Sequence, residues 1–369
     1  MDDKCRSAMK IAKILPLCIA LGALSVKAGP VGLVLSGGGA KGAYEVGVWQ
    51  ALHDAGLAGD VTAISGSSIG GVNAALFASW PDPKGAERLW LENLGKVFVP
   101  NERVLEMASE RKFAAFLDGR LKEYAEIAGV PAQSLPEDSR KAIEREARDE
   151  FTRRGVLRDL TTAMKAYQDS LAGDASDGIC DGDAMRTVLE NSLPKNWPRP
   201  VPRVYVMALA NDNWQPVAFC LNGYTGEERI KRLLASAATP VVFPSVVIDG
   251  RTYVDGGWEA QGGDNTPLKP IVDNHPEIKT VVVVYLKVER RLGENDRGRN
   301  RKIASAAGVR LVEIMPSEDI EGVFNGWSSV FDLSPERARS LMDLGRNDAL
   351  RALDETGLSG KRGGKGGKR

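Results

Sequence analysis

Histidine is nearly absent from this 369-residue chain: only His53 and His275 are present, so an imidazole-dependent reaction must use one of them. His53 lies in a helix-like segment, where an exposed or structural role competes with a chemical one. His275 lies in DNHPEIK, a loop that enters the apolar strand at Thr280. It follows the other candidate groups in chain order, as a late catalytic histidine does, but precedes its strand instead of following it. An excess of charge of one sign is also missing, with 49 Lys and Arg against 49 Asp and Glu. Nothing concentrates a polyanion, and nucleic-acid binding is not expected.

The N-terminal apolar run, Ile14 to Val26, is short for a membrane span and is interrupted by Pro16. Lys4, Arg6, Lys10 and Lys13 precede it, and Val26-Lys27-Ala28 ends it with small residues at the cleavage positions of a secretory signal. Residues 1–28 are therefore expected to be a signal peptide, cleaved after Ala28, with a periplasmic or secreted mature chain. A retained anchor is the alternative. Cysteine is scarce too. Cys5 and Cys18 would leave with the leader, and no lipoprotein-type box precedes Cys18. Cys180 and Cys220 either pair in an oxidising compartment or serve as small buried apolar residues.

Two glycine-rich runs stand out against this background. GGGAKG (Gly37 to Gly42) and GSSIG (Gly66 to Gly70) each follow a strand-like stretch and lead into a helix-like one. The second reads G-x-S-x-G, where Gly66 and Gly70 permit the strained strand-to-helix turn that exposes the hydroxyl of Ser68. The first offers the backbone N–H groups of Gly37, Gly38 and Gly39 at a helix N-terminus, suited to a developing oxyanion. The pair reads as a serine hydrolase. Gly37, Gly39 and Gly42 also satisfy G-x-G-x-x-G, but a dinucleotide site needs an acidic residue at the end of the next strand, and that strand delivers Ser68 instead. No Gly-Lys-Ser/Thr follows for a Walker loop. The acidic stretch DASDGICDGD (Asp174 to Asp183) lacks calcium-loop spacing and reads as a turn.

Elements alternate along the chain. Strands are expected at Val31 to Ser36, Val61 to Ser65, Arg203 to Ala210, Pro216 to Leu221, Thr280 to Val288 and Val309 to Met315. Helices are expected at Ala43 to Ala55, Gly70 to Ser79, Glu227 to Ala238 and from Pro335, capped by Ser334, to Glu355. Val246 to Val254 carries a hairpin signal at Asp249-Gly250. The fold class is α/β, a parallel-type central sheet flanked by helices. The charged, helix-prone stretch 93–178 is expected as an inserted helical cap, or as a solvated face without a role at the site. The divisions are a leader (1–28), a catalytic domain (29–320), a C-terminal helical segment (321–358) and a disordered basic tail (359–369).

A serine needs a base, and the better candidate than either histidine is Asp255, which ends the strand TYVDGG ahead of Gly256 and Gly257. The set GGGAKG, GSSIG and DGG, in this order, resembles the patatin-like phospholipases. Their pattern is a G-G-G-x-[KR]-G loop, a G-x-S-x-G elbow and an Asp-Gly-Gly or Asp-Gly-Ala motif. The resemblance covers Val31 to Ala78 and about Asp181 to Leu286, including SAATPVVFPSV (Ser236 to Val246) and DNTPL (Asp264 to Leu268). It implies Ser68 as nucleophile, Asp255 as general base, Gly37, Gly38 and Gly39 as the oxyanion hole, and Lys41 as the basic residue of the loop. It implies no metal and no cofactor. One departure is Trp258 to Gly263, which lengthens the connection after the Asp-Gly-Gly.

The implied substrate is a phospholipid or lysophospholipid, reached through transient contact with a membrane surface; the oligomeric state is not legible. The alternatives are a soluble carboxylesterase or thioesterase with the same dyad, and a non-catalytic binding protein of the same shape. Phe324, Trp327 and Phe331 either insert into a lipid interface or belong to the core.

Overall fold

Val31–Leu35 (VGLVL) is buried throughout and forms strand β1 at the centre of the sheet. The computed structural model describes residues 29–80, 82–94, 97, 102–154, 178, 180, 182–197, 201–240, 242–321 and 332–358. The expected leader, the aromatic segment Phe324 to Phe331 and the basic tail lie outside the described residues.

From β1 the chain passes through a 3-10 turn, Gly39–Gly42, into helix α1, Ala43–Asp54. Strand β2, Val61–Ser67, runs into helix α2, Ile69–Ser79, every residue of which is buried. Helix α3, Pro83–Glu92, follows with Asp82 as N-cap and Pro83 at its first position. The stretch expected as an insertion holds α4, Glu102–Ala128, and α5, Glu137–Arg154. Small apolar clusters of their own, built on Phe113 with Ala147 and on Ala125, Leu135 and Ile143, join them.

After α6, Gly182–Ser192, come β3, Arg203–Ala210; β4, Gln215–Cys220; α7, Gly226–Ala237; β5, Val246–Ile248; and β6, Arg251–Asp255. The chain continues through α8, Lys269–Asn274; β7, Thr280–Val284; α9, Arg299–Ala307; β8, Arg310–Ile314; and α10, Pro335–Glu355. Among the described residues no helix is long and apolar enough to cross a membrane.

The parallel expectation holds for five strands: β3, β2, β1, β7 and β8 pair in parallel in that order. β4, β5 and β6 are antiparallel, so the sheet is mixed. Short connections force this, since a parallel return needs a long crossover. β3 turns into β4 over residues 211–214. β5 turns into β6 at Asp249 (φ 50°) and Gly250 (φ 79°), a two-residue hairpin with both central residues left-handed, as the Asp-Gly signal predicts.

The edge of β3 decides where the site lies. Met207 pairs with Ser67 on one side and Ala218 on the other, while Ala208 pairs with Asp255 and Val217. Because β4 holds one edge from Tyr205 to Ala210, β2 and β6 share the opposite edge end to end. The strand that delivers Ser68 thus meets head-on the strand that ends in Asp255.

The C-terminal helix is part of the main core. A Cβ on Gly47 of α1 would lie 1.9 Å from the Met342 carbonyl oxygen, and one on Gly345 of α10 would lie 2.1 Å from that of Tyr44. The two glycines let the helices touch backbone to backbone. Cys180 and Cys220 form no disulfide. Cys180 donates its N–H to Val242 O in the loop before β5, whereas Cys220 pairs with Tyr205 at the end of β4.

Candidate active site

Ser68 sits between β2 and α2 at φ 54°, ψ −128°. This is backbone that a non-glycine residue adopts only when its surroundings compel it. The compulsion is visible on both sides. The Ser68 N–H donates to Ser236 O and Ser236 Oγ, both at 3.1 Å, and its carbonyl accepts from Gly71 (2.9 Å) and Val72 (3.2 Å) at the start of α2. A Cβ at Gly66 would fall 2.3 Å from the carbonyl of Gly70, and one at Gly70 would fall 2.6 Å from Leu35 O. Gly66 is there because the turn is too tight for a side chain, and Gly70 because the start of α2 lies against the end of β1.

Asp255 is buried at the end of β6. Its N–H donates to Ala238 O (2.9 Å). Its Oδ2 accepts from Thr239 Oγ1 (2.7 Å) and its Oδ1 from the Gly257 N–H (2.8 Å). Burial pushes its pKa up, and hydrogen bonds from the Thr239 hydroxyl, the Ser68 hydroxyl and the Gly257 N–H act against that rise. Gly256 cannot carry a side chain, since its Cβ would lie 2.2 Å from Met207 O.

The first glycine run closes over the same place. The Gly37 N–H donates to Asn265 O (3.1 Å) and Asn265 Nδ2 donates to Gly37 O (3.3 Å). Gly37 is therefore not one of the loop's available donors. The first backbone donor of the following turn is the Lys41 N–H, which bonds Gly38 O (3.3 Å), so the turn makes no use of the N–H groups of Gly38 and Gly39; Gly39 adopts φ 57°. At Gly38 a Cβ would meet Leu286 Cδ1 at 2.9 Å and Lys41 Cε at 3.1 Å. Lys41 is buried beneath it and donates to Glu321 Oε1 (3.2 Å). Burial lowers the Lys41 pKa, and Glu321 opposes this. At Gly42 a Cβ would lie 2.7 Å from Ile69 Cγ1.

The segment DNTPL is the stitch between these parts. Ser67 Oγ donates to Asp264 O and Ser65 Oγ to Pro267 O, while Asn265 holds Gly37. A Cβ on either Gly37 or Gly257 would lie 2.4 Å from Asn265 Oδ1. The lengthened connection, Trp258 to Gly263, forms a short 3-10 turn, with Trp258 edge-on to Trp214 at 5.9 Å and Glu259 accepting from Lys287 Nζ at 3.2 Å.

The two histidines have other partners. His275 Nε2 lies 3.1 Å from Tyr205 OH and its Nδ1 lies 3.1 Å from Glu277 Oε1. His53 packs edge-on against Trp49 with its Nε2 buried and unbonded, and burial lowers its pKa.

Beside Ser68 lies a narrow cavity of about 60 Å³, walled by apolar side chains including Ile69, Val72, Leu94, Met185, Val242 and Phe243. Its lining matches an acyl chain better than a polar group. Four supporting residues escaped reading from the sequence as individuals: Ser236, Thr239, Asn265 and Asn73. Asn73 donates to Gly42 O (3.0 Å) and Glu45 Oε2 (2.8 Å), and accepts from Trp90 Nε1 (2.9 Å). Only the first three had a signal, since they lie in the flanking stretches Ser236 to Val246 and DNTPL.

The chain is 56% identical over 48 residues to the lysophospholipase nte1 of Aspergillus terreus, which is 13% of this chain and 3% of that protein. It is 48% identical over 52 residues to the patatin-like phospholipase domain-containing protein ZK370.4 of Caenorhabditis elegans, which is 14% of this chain and 4% of that protein. The chain thus spans only a few per cent of the length of these two relatives. Among solved structures it is similar to VipD from Legionella pneumophila, with TM-score 0.44 and 16% identity over 89% of this chain and 67% of that one. A family model for patatin-like phospholipase matches residues 33–277, well over half of the sequence and a span that includes Gly37 to Gly42, Ser68, Asp255 and Asn265, and the chain belongs to that family.

Proposed function

We propose that this protein is a serine lipid acyl hydrolase that cleaves fatty-acyl esters of phospholipids or lysophospholipids through an acyl-enzyme. The observation that carries the reading is Ser68, held in a left-handed turn with its hydroxyl against the Asp255 carboxylate and an apolar cavity at its side. In this mechanism the Ser68 hydroxyl attacks the ester carbonyl and its proton passes to Asp255. The N–H groups of Gly38 and Gly39 receive the developing oxyanion. Asp255 returns the proton to the leaving alcohol, and the bond between carbonyl carbon and leaving oxygen breaks. Water, deprotonated by Asp255, then releases the fatty acid and restores Ser68.

A soluble carboxylesterase or thioesterase would use the same groups, so the test must vary the substrate. A panel of a phospholipid, a lysophospholipid, a short-chain nitrophenyl ester and an acyl thioester is assayed with wild type, Ser68→Ala and Asp255→Asn. The expected result is hydrolysis of the lipids, abolished in both variants. For a phospholipid, activity should also rise at the concentration where it aggregates. Faster turnover of soluble esters with no such rise moves the reading to an esterase, and activity retained in Ser68→Ala removes it.

Lipid access implies transient contact with a membrane surface, and the leader read at residues 1–28 implies export. N-terminal sequencing of the native protein tests the second point: Gly29 as the first residue is expected, and a retained Met1 overturns it.

A further inference from the structure

The cavity beside Ser68 is short. An apolar protein cavity of roughly 150 Å³ accepts the six carbons of a benzene ring, so one of about 60 Å³ has room for an acyl chain of only roughly two or three carbons. What stops it is a thin partition. On the far side lies an open groove of about 240 Å³, lined in part by Gly182, Arg186, Lys231, Leu234, Pro244 and Val246. The cavity and the groove share Met185, Ala237 and Phe243. Ala237 contributes a single methyl group, so the bulk of the wall is Met185 of α6 and Phe243, both buried.

The main chain around this wall is fixed. Cys180 N donates to Val242 O (2.7 Å) and Phe243 N to Thr239 O (2.9 Å). A Cβ on Gly178 would lie 2.6 Å from the Phe243 carbonyl carbon, and one on Gly182 would lie 2.9 Å from Pro244 Cγ. Gly178 is thus seated on the 243–244 backbone and the first residue of α6 on the Pro244 ring, and opening by main-chain separation would break these contacts. Met185, unbranched and with three rotatable side-chain bonds, is the part that can move.

We propose that Met185, backed by Phe243, is the chain-length determinant of this enzyme: a gate between the Ser68 cavity and the α6–α7 groove that long acyl chains must displace. This rests on the reading of Ser68 as the nucleophile. Short acyl groups fit with the gate closed. Longer chains thread past Met185 and lay their distal carbons in the groove.

The test is a series of nitrophenyl esters from butyrate to palmitate, assayed with wild type, Met185→Ala, Met185→Trp and Ser68→Ala. Each further methylene admitted to apolar space is worth roughly fourfold in binding, so freeing room for two gives more than tenfold. The expected result is a palmitate-to-butyrate ratio of kcat/KM raised about tenfold in Met185→Ala and lowered about tenfold in Met185→Trp. An unmoved ratio in both variants, with cooperative melting retained, overturns the gate. If Met185→Trp does not fold, the Met185→Ala ratio decides alone. Butyrate turnover that survives in Ser68→Ala overturns the nucleophile reading instead, which separates the two failures.

Discussion

Thr239 donates its hydroxyl to Asp255 Oδ2 at 2.7 Å, from the same turn whose Ala238 carbonyl receives the Asp255 N–H. Burial raises the Asp255 pKa and this bond restrains the rise. The proposed base works as the carboxylate, so activity increases as pH climbs through its pKa. Thr239→Val keeps the shape and removes a bond to a charged group worth about 1.5–3 kcal/mol. The acid limb of kcat/KM should move to higher pH by about one to two units, while Thr239→Ser should leave it in place. A limb that stays put in Thr239→Val would mean that another group controls it.

The Ser68 backbone yields a stability prediction separate from activity. At φ 54°, ψ −128° a side chain costs about 1–3 kcal/mol, which glycine avoids, less about 0.5–1 kcal/mol for its greater unfolded-state freedom. Ser68→Gly should therefore be more stable than Ser68→Ala by roughly 1 kcal/mol in urea unfolding, with both inactive. Equal midpoints would show that the turn stores no strain.

Glu45 should make stability fall with pH. It is wholly buried beneath the glycine loop, and burial, opposed by the Asn73 bond, pushes its pKa up to about 8. Its folded pKa thus exceeds the unfolded value, so between about 4.5 and 8 the native state holds the extra proton and loses stability as pH rises, by at most about 1.4 kcal/mol per unit. Glu45→Gln removes this slope. Melting temperatures of the two proteins measured from pH 5 to pH 9 should diverge in favour of the variant; parallel curves would refute it.

Glycines differ in what they permit. Gly256→Ala forces a methyl to within 2.2 Å of the Met207 carbonyl oxygen, whereas nothing lies within 4 Å of a Cβ on Gly59. The first should cost about 1–3 kcal/mol and most of the esterase activity. The second should change stability by no more than about 0.5 kcal/mol. Chemical unfolding and nitrophenyl butyrate turnover measure both.

The sequence by itself determined the local pieces. Buried β-branched runs specify β1, β2 and β7, Ser334-Pro335 specifies the start of α10, and Asp249-Gly250 specifies the hairpin, because each rests on contacts or torsions within a few residues. Gly66 was legible for the same reason, since its Cβ would meet Gly70 within the turn itself, whereas the obstacle at Gly70 is Leu35 of β1. Only the tertiary structure decided how those pieces meet. No local pattern says that β2 and β6 share one edge of β3, which puts Ser67 and Asp255 opposite consecutive residues. None says that Asn265 occupies the Gly37 N–H and removes it from the expected oxyanion hole, or that Thr239 and Ser236 hold Asp255 and Ser68. These are hydrogen bonds between segments tens to hundreds of residues apart, and their donors and acceptors are common residue types whose partners exist only once the sheet has brought the chain ends of its strands together.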